Sequence, residues 1–264
     1  MRDLPWRSTR DPWSVLVSEV MLQQTQASRV IPKWLAFLDA FPTPEVCAEA
    51  PLGDVLRLWQ GLGYPRRARN LHAAAAEVHR LGEFPCTLEG LLALPGVGAY
   101  TARAVLAFAF ESDAAVVDTN IARVFARVQG HALRPKEVQM LADAASPAGR
   151  SWDWNQCLMD LGAVLCRPAS PGCAACPLRT LCAWCGQGPD PAVDSAGVSR
   201  RQARFDGSDR QARGRLMKAL SSGSVPLSAI AGIVQRDERE ALHLAEALIG
   251  ERLCALDGEM LRLP

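Results

Sequence analysis

Apolar positions recur at helical spacing over most of the first 165 residues. After Asp11-Pro12, the side chains Trp13, Leu16, Val17 and Val20 fall on one helical face. Asp11 suits the N-cap of that helix and Pro12 its first residue. Pro42, Pro44 and Pro51 punctuate the helices that follow. The alanine-rich stretch 68–81, the short segment opened by Thr87 and closed by Pro95, and residues 100–110 predict further helices, as do 120–128 and 154–165. Residues 187–199 (QGPDPAVDSAGVS) are rich in Pro, Gly and Ser and predict a linker. Beyond them, two helical patterns precede ERLCALDGEMLRLP, where Asp257-Gly258 suits a hairpin turn. Helices followed by a hairpin predict a small winged-helix-like module over 200–264.

Composition narrows the class. The chain has 264 residues, 49% hydrophobic and 22% charged, which supports substantial cores and argues against global disorder. No apolar run approaches the roughly 18–20 residues of a membrane span. The N-terminus lacks the apolar core of a secretion signal, so a cytoplasmic protein is expected. The 29 basic and 28 acidic residues give a net charge of +1, so any nucleic-acid surface must arise from local charge segregation. Lys33, Lys136 and Lys218 are the only lysines, which leaves 26 arginines and few candidates for lysine chemistry. Nine cysteines without a secretion signal point to metal or redox chemistry before disulfides.

Four of those cysteines, Cys166, Cys173, Cys176 and Cys182, read C-x6-C-x2-C-x5-C. Thiolates so closely spaced suit an iron–sulfur cluster, with zinc as the main rival. A second set, Cys173, Cys176, Cys182 and Cys185, is tight for zinc, whose cysteine pairs usually stand about 12–20 residues apart. Buried or disulfide-bonded cysteines are the remaining option. Cys47, Cys86, Cys157 and Cys254 are scattered and read as packing residues.

Other segments carry weaker signals one by one. In Leu94-Pro95-Gly96-Val97-Gly98 two glycines permit a tight turn that leaves N–H groups at a helix start, where phosphate binds; an ordinary interhelical turn reads the same way. Glu19 lies among Val15, Leu16, Val17, Val20 and Leu22. An apolar setting would raise its pKa and suit a general acid, whereas a helix edge would leave it solvated. Asp118 or Asn120 suits an N-cap. Tyr100 and Trp6 would pass as packed aromatics and Gln156 as a surface residue. Arg66, Arg67 and Arg69 suit either phosphate contacts or a solvated basic face.

Taken together, these motifs resemble the endonuclease III superfamily of DNA glycosylases over residues 3–186. The cysteine spacing resembles that family's [4Fe–4S] loop, LPGVG its DNA-backbone-binding helix-hairpin-helix, and VDTNIARV its catalytic aspartate segment. The octapeptide SEVMLQQT resembles the signature of the MutY-type adenine DNA glycosylases. The resemblance implies base excision repair of double-stranded DNA, with hydrolytic removal of adenine mispaired with 8-oxoguanine or guanine. It implies Glu19 as catalytic acid, with Asp118 and its neighbour Asn120 at the cationic sugar and Tyr100 nearby. Gln24 and Thr25 would contact the lesion strand, and Leu62 and Tyr64 would wedge the duplex. Trp6, Arg7 and Gln156 would help form the adenine pocket, and Gly96, Val97 and Gly98 would bind the DNA backbone. Cys166, Cys173, Cys176 and Cys182 would hold the cluster, and Arg167 and Arg179 would suit phosphate contacts beside it. Strand-cleaving relatives carry a lysine just after the hairpin glycines, where Tyr100 stands, so a monofunctional enzyme is expected.

Three departures from the family pattern stand out. Pro65 occupies the place of a usual second aromatic. Members usually have another helix before Pro5-Trp6-Arg7 and commonly a Nudix-like C-terminal domain that recognises 8-oxoguanine. The stretch after the cysteine loop, about 75 residues, is too short for that domain. It opens instead with Arg200–Arg215, six arginines against two aspartates, suited to DNA backbone or to a solvated linker.

The expected architecture is mostly α and two-lobed. Residues 11–109 form a lobe with the hairpin. Residues 1–10 and 110–186 form a second lobe with the cluster loop. A linker over 187–199 leads to the module. A nucleoid-associated bacterial monomer is expected. An endonuclease III-type enzyme for oxidised pyrimidines and a non-catalytic cluster-containing DNA-binding protein are the alternatives.

Overall fold

The computed structural model describes residues 2–198 and 204–264. Helices dominate: α1 (Pro12–Leu22), α2 (Ala27–Ala40), α3 (Pro44–Glu49), α4 (Leu52–Leu58), α5 (Arg66–Leu81), α6 (Leu88–Leu92), α7 (Ala99–Phe108), α8 (Thr119–Gln129), α9 (Pro135–Ala145) and α10 (Ser151–Asp160). A π-helical turn, Leu161–Leu165, continues α10 into the cysteine loop. The C-terminal part contains α11 (Asp209–Ser222), β1 (Val225–Pro226), α12 (Ile230–Val234), α13 (Glu238–Gly250), β2 (Ala255–Asp257) and β3 (Met260–Arg262). Many starts follow from side-chain caps: Thr43, Thr87, Asp118, Ser208 and Asp237 each accept an N–H of the first helical turn. Asp11 does the same for α1, accepting the Ser14 N–H at 2.8 Å.

The chain divides into two compact units. The first comprises Met1–Leu16, Cys86–Ala93 and Val97–Arg201; the second comprises Val17–Pro85, Leu94–Gly96 and Gln202–Pro264. In the first unit α8 packs against α9, α10 and the π-helical turn, and α7 against α6 and α10. Val105, Ile121, Val124 and Leu158 are among its buried side chains. Asn155 of α10 stitches in the extended run before α8. Its amide oxygen accepts the Val116 N–H at 2.9 Å, and its amide nitrogen donates to the Ala114 carbonyl at 2.9 Å. That run ends at Asp118.

In the second unit α5 packs on α3 and α4, and α11 packs on α4. The Gly53 amide donates to the carbonyl of the final residue, Pro264, at 3.0 Å. A Cβ at position 53 would sit 2.7 Å from that oxygen, so glycine alone permits the approach. The small sheet has the order β1-β3-β2, all antiparallel, with Leu256 and Val225 both opposite Leu261. Its hairpin turns through Asp257-Gly258, where Gly258 has φ +59°. The order helix, strand, helix, helix, hairpin is that of a winged-helix-like module, and Leu216, Leu220, Ile230, Val234, Leu248 and Leu261 form its core.

The expected lobes and the observed units differ. Residues 97–109 cluster with the cysteine-bearing unit, and the C-terminal module clusters with 17–85. The first difference follows from α7 packing on α10, the second from α11 packing on α4. The expected linker is anchored at points as far as Ser195, while most of its side chains up to residue 198 are exposed or half-buried. Ala192 and Ser195 are buried, the Ser195 hydroxyl accepts the Leu133 N–H, and Asp190 pairs with Arg127. Position 199, Arg200, Arg201 and the junction between linker and module lie outside the described residues.

Glu251, just past α13, fastens the module to α5. It accepts Arg66 Nη2 at 2.6 Å through one oxygen and Arg213 Nη2 at 2.6 Å through the other, and its backbone carbonyl accepts Arg69. The hydrogen bond from Arg66, followed by that from Arg213, holds its carboxyl below the usual range against the opposing effect of burial. A carboxyl lowered on folding stabilises the fold above its unfolded pKa, and that stability fades as pH falls through the folded value. Glu251→Gln is therefore expected to lower unfolding stability at pH 7 by about 1 kcal/mol, since Arg66 is largely exposed. Urea titrations should show the gap from wild type narrowing below about pH 4.5.

Candidate active site

Many of the sequence-predicted residues fall into separate clusters gathered by arginines, Arg123 and Arg127 buried, Arg67 and Arg7 half-buried. In the second unit, α1 runs out through Val20, Met21 and Leu22 into Gln23-Gln24-Thr25. Gln24 takes a left-handed conformation, φ +54°, which turns the chain sharply at the signature. Arg67, in the first turn of α5, holds this turn together. Its Nη1 donates to the carbonyls of Val20 (2.7 Å), Met21 (3.0 Å) and Gln23 (2.7 Å). Its Nη2 donates to Thr25 Oγ1 (3.1 Å) and to the carbonyls of Leu62 (3.0 Å) and Gly63 (3.2 Å). The guanidinium also lies over the rings of Trp59 and Tyr64, at 5.4 and 5.5 Å from their centroids.

One side chain thus brings together Thr25, expected at the lesion strand, and Leu62 and Tyr64, expected to wedge the duplex. Leu62 is buried, whereas Tyr64 stands 37% exposed with φ +49°. Burial lowers the Arg67 pKa to about 10, and the guanidinium stays charged at neutral pH. The phosphate role open to Arg66, Arg67 and Arg69 gives way to internal partners: Arg66 and Arg69 are bound to Glu251. No sequence signal separated these three roles. They follow from the different directions that successive residues take around α5.

Glu19 lies one turn before the end of α1 and is 5% exposed, so the apolar setting expected from its neighbours is present. The hairpin glycines sit between α6 and α7. Gly96 has φ +77°, and a Cβ there would stand 2.6 Å from the Asn70 Cβ. Gly98 is the N-cap of α7, and Tyr100 lies in the first turn of that helix.

In the first unit, α8 carries the aspartate at its start, and its end touches the cysteine loop. Asp118 caps the helix: Oδ1 accepts the Ile121 N–H at 2.6 Å and Oδ2 accepts Asn120 Nδ2 at 2.9 Å. Burial raises its pKa, opposed by those two hydrogen bonds. Asn120 Oδ1 accepts Arg123 Nη2 at 2.9 Å, and Arg123 also donates to the carbonyls of Gly162 (2.6 Å) and Cys166 (2.7 Å). The Asp118 carboxylate is therefore tied through two side chains to the first cysteine of the loop. A Cβ at Gly162 would fall 2.6 Å from the Asn120 Cβ, so glycine at 162 is what lets the two segments touch.

One turn further along α8, Arg127 is 1% exposed and serves the loop itself. It binds Asp190 through Nε (3.1 Å) and Nη2 (2.6 Å), and it donates to the carbonyls of Cys166, Arg167 and Pro168. Its Nη1 stands 3.3 Å from Cys166 Sγ, and its guanidinium lies 4.5 Å from the Trp184 ring centroid. Cys166, Cys173, Cys176, Cys182 and Cys185 line one small cavity with Arg127. Among the described residues, no group of three or more His, Cys, Asp or Glu converges on a single ion. Thiolates gathered around one cavity are a donor set that suits an iron–sulfur cluster.

Arg7 and Asp160 form the last cluster. Arg7 binds Asp160 through both terminal nitrogens (2.8 and 3.0 Å), with Arg2 adding a third contact at 2.7 Å. Burial alone would raise the Asp160 pKa, yet the hydrogen bonds from Arg7 and Arg2 hold it well below the usual range. Gln156 lies four residues before Asp160 on α10, and Trp6 and Gln156 are both buried. Arg7 Nε is buried without a hydrogen-bond partner among the described residues.

Arg67 offers a direct check on this organisation. Arg67→Ala leaves up to six acceptors unserved and is expected to cost about 3 kcal/mol in urea unfolding. Arg67→Lys should recover only part of that loss, since one ammonium cannot span both carbonyl groups.

The comparisons with known proteins agree with this geometry. Residues 17–148 match the HhH-GPD superfamily of base excision DNA repair proteins. The adenine DNA glycosylase of Mycolicibacterium smegmatis is 42% identical over 236 residues, which cover 86% of this chain and 78% of that protein. That of Mycobacterium tuberculosis (strain H37Rv) is 41% identical over 286 residues, covering 98% and 90%. Among solved structures, a thermostable thymine-DNA glycosylase superposes with a TM-score of 0.65 at 33% identity, over 70% of this chain and 89% of that one. An endonuclease III–DNA complex gives 0.60 at 26% identity, over 66% and 84%. A mostly helical chain whose helix-hairpin-helix, buried glutamate and capped aspartate accompany these likenesses belongs to the MutY-type adenine DNA glycosylases of the HhH-GPD superfamily.

Proposed function

We propose that this hydrolytic DNA glycosylase removes adenine mispaired with 8-oxoguanine or guanine and leaves an abasic site. The observation that supports the reading is the Asp118–Asn120–Arg123 chain, which holds one buried carboxylate in a fixed orientation. Breaking an N-glycosidic bond builds oxocarbenium character, and a preorganised carboxylate stabilises that charge without reorganising. Asp118 supplies the carboxylate. Asn120 holds it with one amide hydrogen and is itself held by Arg123, so it acts as a positioning residue.

Glu19, buried at the end of α1, protonates the adenine as the bond breaks and then assists water. The flipped base needs a stacking surface and hydrogen-bonding groups, which Trp6, Gln156 and the unspent Nε of Arg7 provide. Gln24, Thr25, Leu62 and Tyr64 meet the opposing strand, and the backbone of Gly96, Val97 and Gly98 meets phosphates. Tyr100 stands in place of an imine-forming lysine, so hydrolysis ends at the abasic site. Cys166, Cys173, Cys176 and Cys182 would hold a [4Fe–4S] cluster, which would brace the loop, with Arg167 and Arg179 exposed beside it.

The non-catalytic reading is disfavoured by the module itself. The helix before its hairpin, α13, carries Glu238, Glu240 and Glu246 against Arg239, and the hairpin turn carries Asp257 and Glu259. A sequence-reading helix and wing would present the opposite charge to DNA.

Single-turnover adenine release from duplexes with adenine opposite 8-oxoguanine, guanine or thymine tests the proposal. Release is expected opposite the two purines and slow opposite thymine. Glu19→Gln should abolish it. Asn120→Ala should slow it by roughly 10–100-fold, through a misplaced Asp118. Retained release in Glu19→Gln would overturn the assignment, and a borohydride-trapped adduct on an oxidised pyrimidine would favour the alternative enzyme.

A further inference from the structure

One thiol of the cysteine loop has no part in the function above. Cys185 stands three residues beyond Cys182, so the loop contains two C-x2-C pairs, Cys173 with Cys176 and Cys182 with Cys185. Cys185 lines the same cavity as Cys166, Cys173, Cys176 and Cys182.

Three observations hold it there. First, the chain before it is pinned to the end of α8. The Ala183 N–H donates to the Val128 carbonyl at 3.0 Å and the Trp184 N–H to the Arg127 carbonyl at 3.1 Å. Second, Cys185 takes a left-handed conformation, φ +46°, and Gly186 another, φ +83°. These two residues turn the chain back onto the loop, where a Cβ at Gly186 would stand 3.3 Å from Cys173 Sγ. The Cys185 thiol donates to the Arg179 carbonyl at 3.7 Å, in the stretch that joins Cys176 to Cys182. Third, the Cys185 N–H donates to Cys182 Sγ at 3.3 Å. A hydrogen bond to a thiolate draws charge from the sulfur and loosens its hold on iron.

Cys182 is thus the sulfur with a substitute beside it. Cys166 Sγ, by contrast, accepts Nη1 of the buried Arg127 at 3.3 Å. Cys173 and Cys176 share one tight turn, in which the Cys176 N–H donates to the Cys173 carbonyl at 3.3 Å.

We propose that Cys185 is an exchangeable fifth ligand for the iron–sulfur cluster, taking the place of Cys182 when that thiolate leaves. In the exchange the iron–sulfur bond to Cys182 breaks and one to Cys185 forms. The proton given up by the entering thiol is taken by the leaving thiolate, and iron is neither oxidised nor reduced. The C-x2-C spacing suits this, since two cysteines so placed commonly reach one metal ion. The inference rests on the cluster reading of Cys166, Cys173, Cys176 and Cys182, and it adds to that reading a means of keeping iron when one ligand is lost.

The test uses the full chain purified with its iron. The variants carry alanine, because a serine oxygen would itself serve as a ligand. Iron and acid-labile sulfide are measured per chain. Cys182→Ala is expected to keep more than about half of the wild-type iron, whereas Cys176→Ala and the double variant Cys182→Ala/Cys185→Ala keep less than about a tenth. Cys185→Ala alone should match wild type in iron content, yet lose iron to a chelator roughly threefold faster, since no second thiol recaptures it. That comparison decides the matter by itself if Cys182→Ala does not fold. Iron lost from folded Cys182→Ala as fully as from the double variant would overturn the proposal, as would equal release rates for wild type and Cys185→Ala. Either result with iron-bearing wild-type protein would sink this inference alone, whereas wild-type protein that holds no iron would remove the cluster reading as well.

Discussion

A guanidinium taken out of water must find oxygen acceptors for its N–H groups, and the irregular parts of this molecule are built around that demand. Arg67, Arg123 and Arg127 are largely withdrawn from solvent, and each gathers carbonyls that no helix or strand satisfies. Arg67 gathers the end of α1 and the loop after α4. Arg123 joins the aspartate segment to the π-helical turn, and Arg127 gathers the start of the cysteine loop. Three of the four motif segments, the signature, the aspartate segment and the cysteine loop, are thus gathered by an arginine; the LPGVG hairpin is not among them. Helical packing supplies the frame, and these cations fix what the frame leaves loose. The planar fork of arginine serves several acceptors at once, which an ammonium does not.

Much of this was legible from the residues. The helices over 68–81, 100–110 and 120–128 appear within two residues of their expected ends, because periodicity, prolines and caps agree there. The hairpin at Asp257-Gly258 and the cap at Asp118 are in place for the same reason. Glu19 is buried, as its apolar neighbours implied. The anchoring of 187–198 was not legible, since Pro, Gly and Ser describe turns whether a chain is loose or pinned. What pins it is Asp190 meeting Arg127, a contact between residues 63 positions apart. The clustering of the module with 17–85 was hidden in the same way, for it depends on Glu251 meeting Arg66 across 185 positions.

The short C-terminal module also changes how the chain reads beside its relatives. It is not a free appendage: the carbonyl of Pro264 takes the Gly53 amide, and the Gln60 side chain donates to the Met217 carbonyl. Three separate contacts, at residues 53, 60 and 66, fix it to the helices that precede the hairpin. The same surface that secures the module also shapes a cavity that it lines, where Arg66, Arg213 and Glu251 meet.

The π-helical turn between Asp160 and Cys166 has a consequence of another kind. Such a turn holds one residue more than an α-helical turn would. Upstream of it, Asp160 faces Arg7; downstream, the Cys166 carbonyl faces Arg123. Removing a residue between them would restore an ordinary helix and swing everything beyond it by about 100°. This stretch is thus fixed in length more strictly than in composition. Leu161, Ala163, Val164 and Leu165 are side chains that other apolar residues could replace, but their number is what keeps the aspartate and the cysteines in phase.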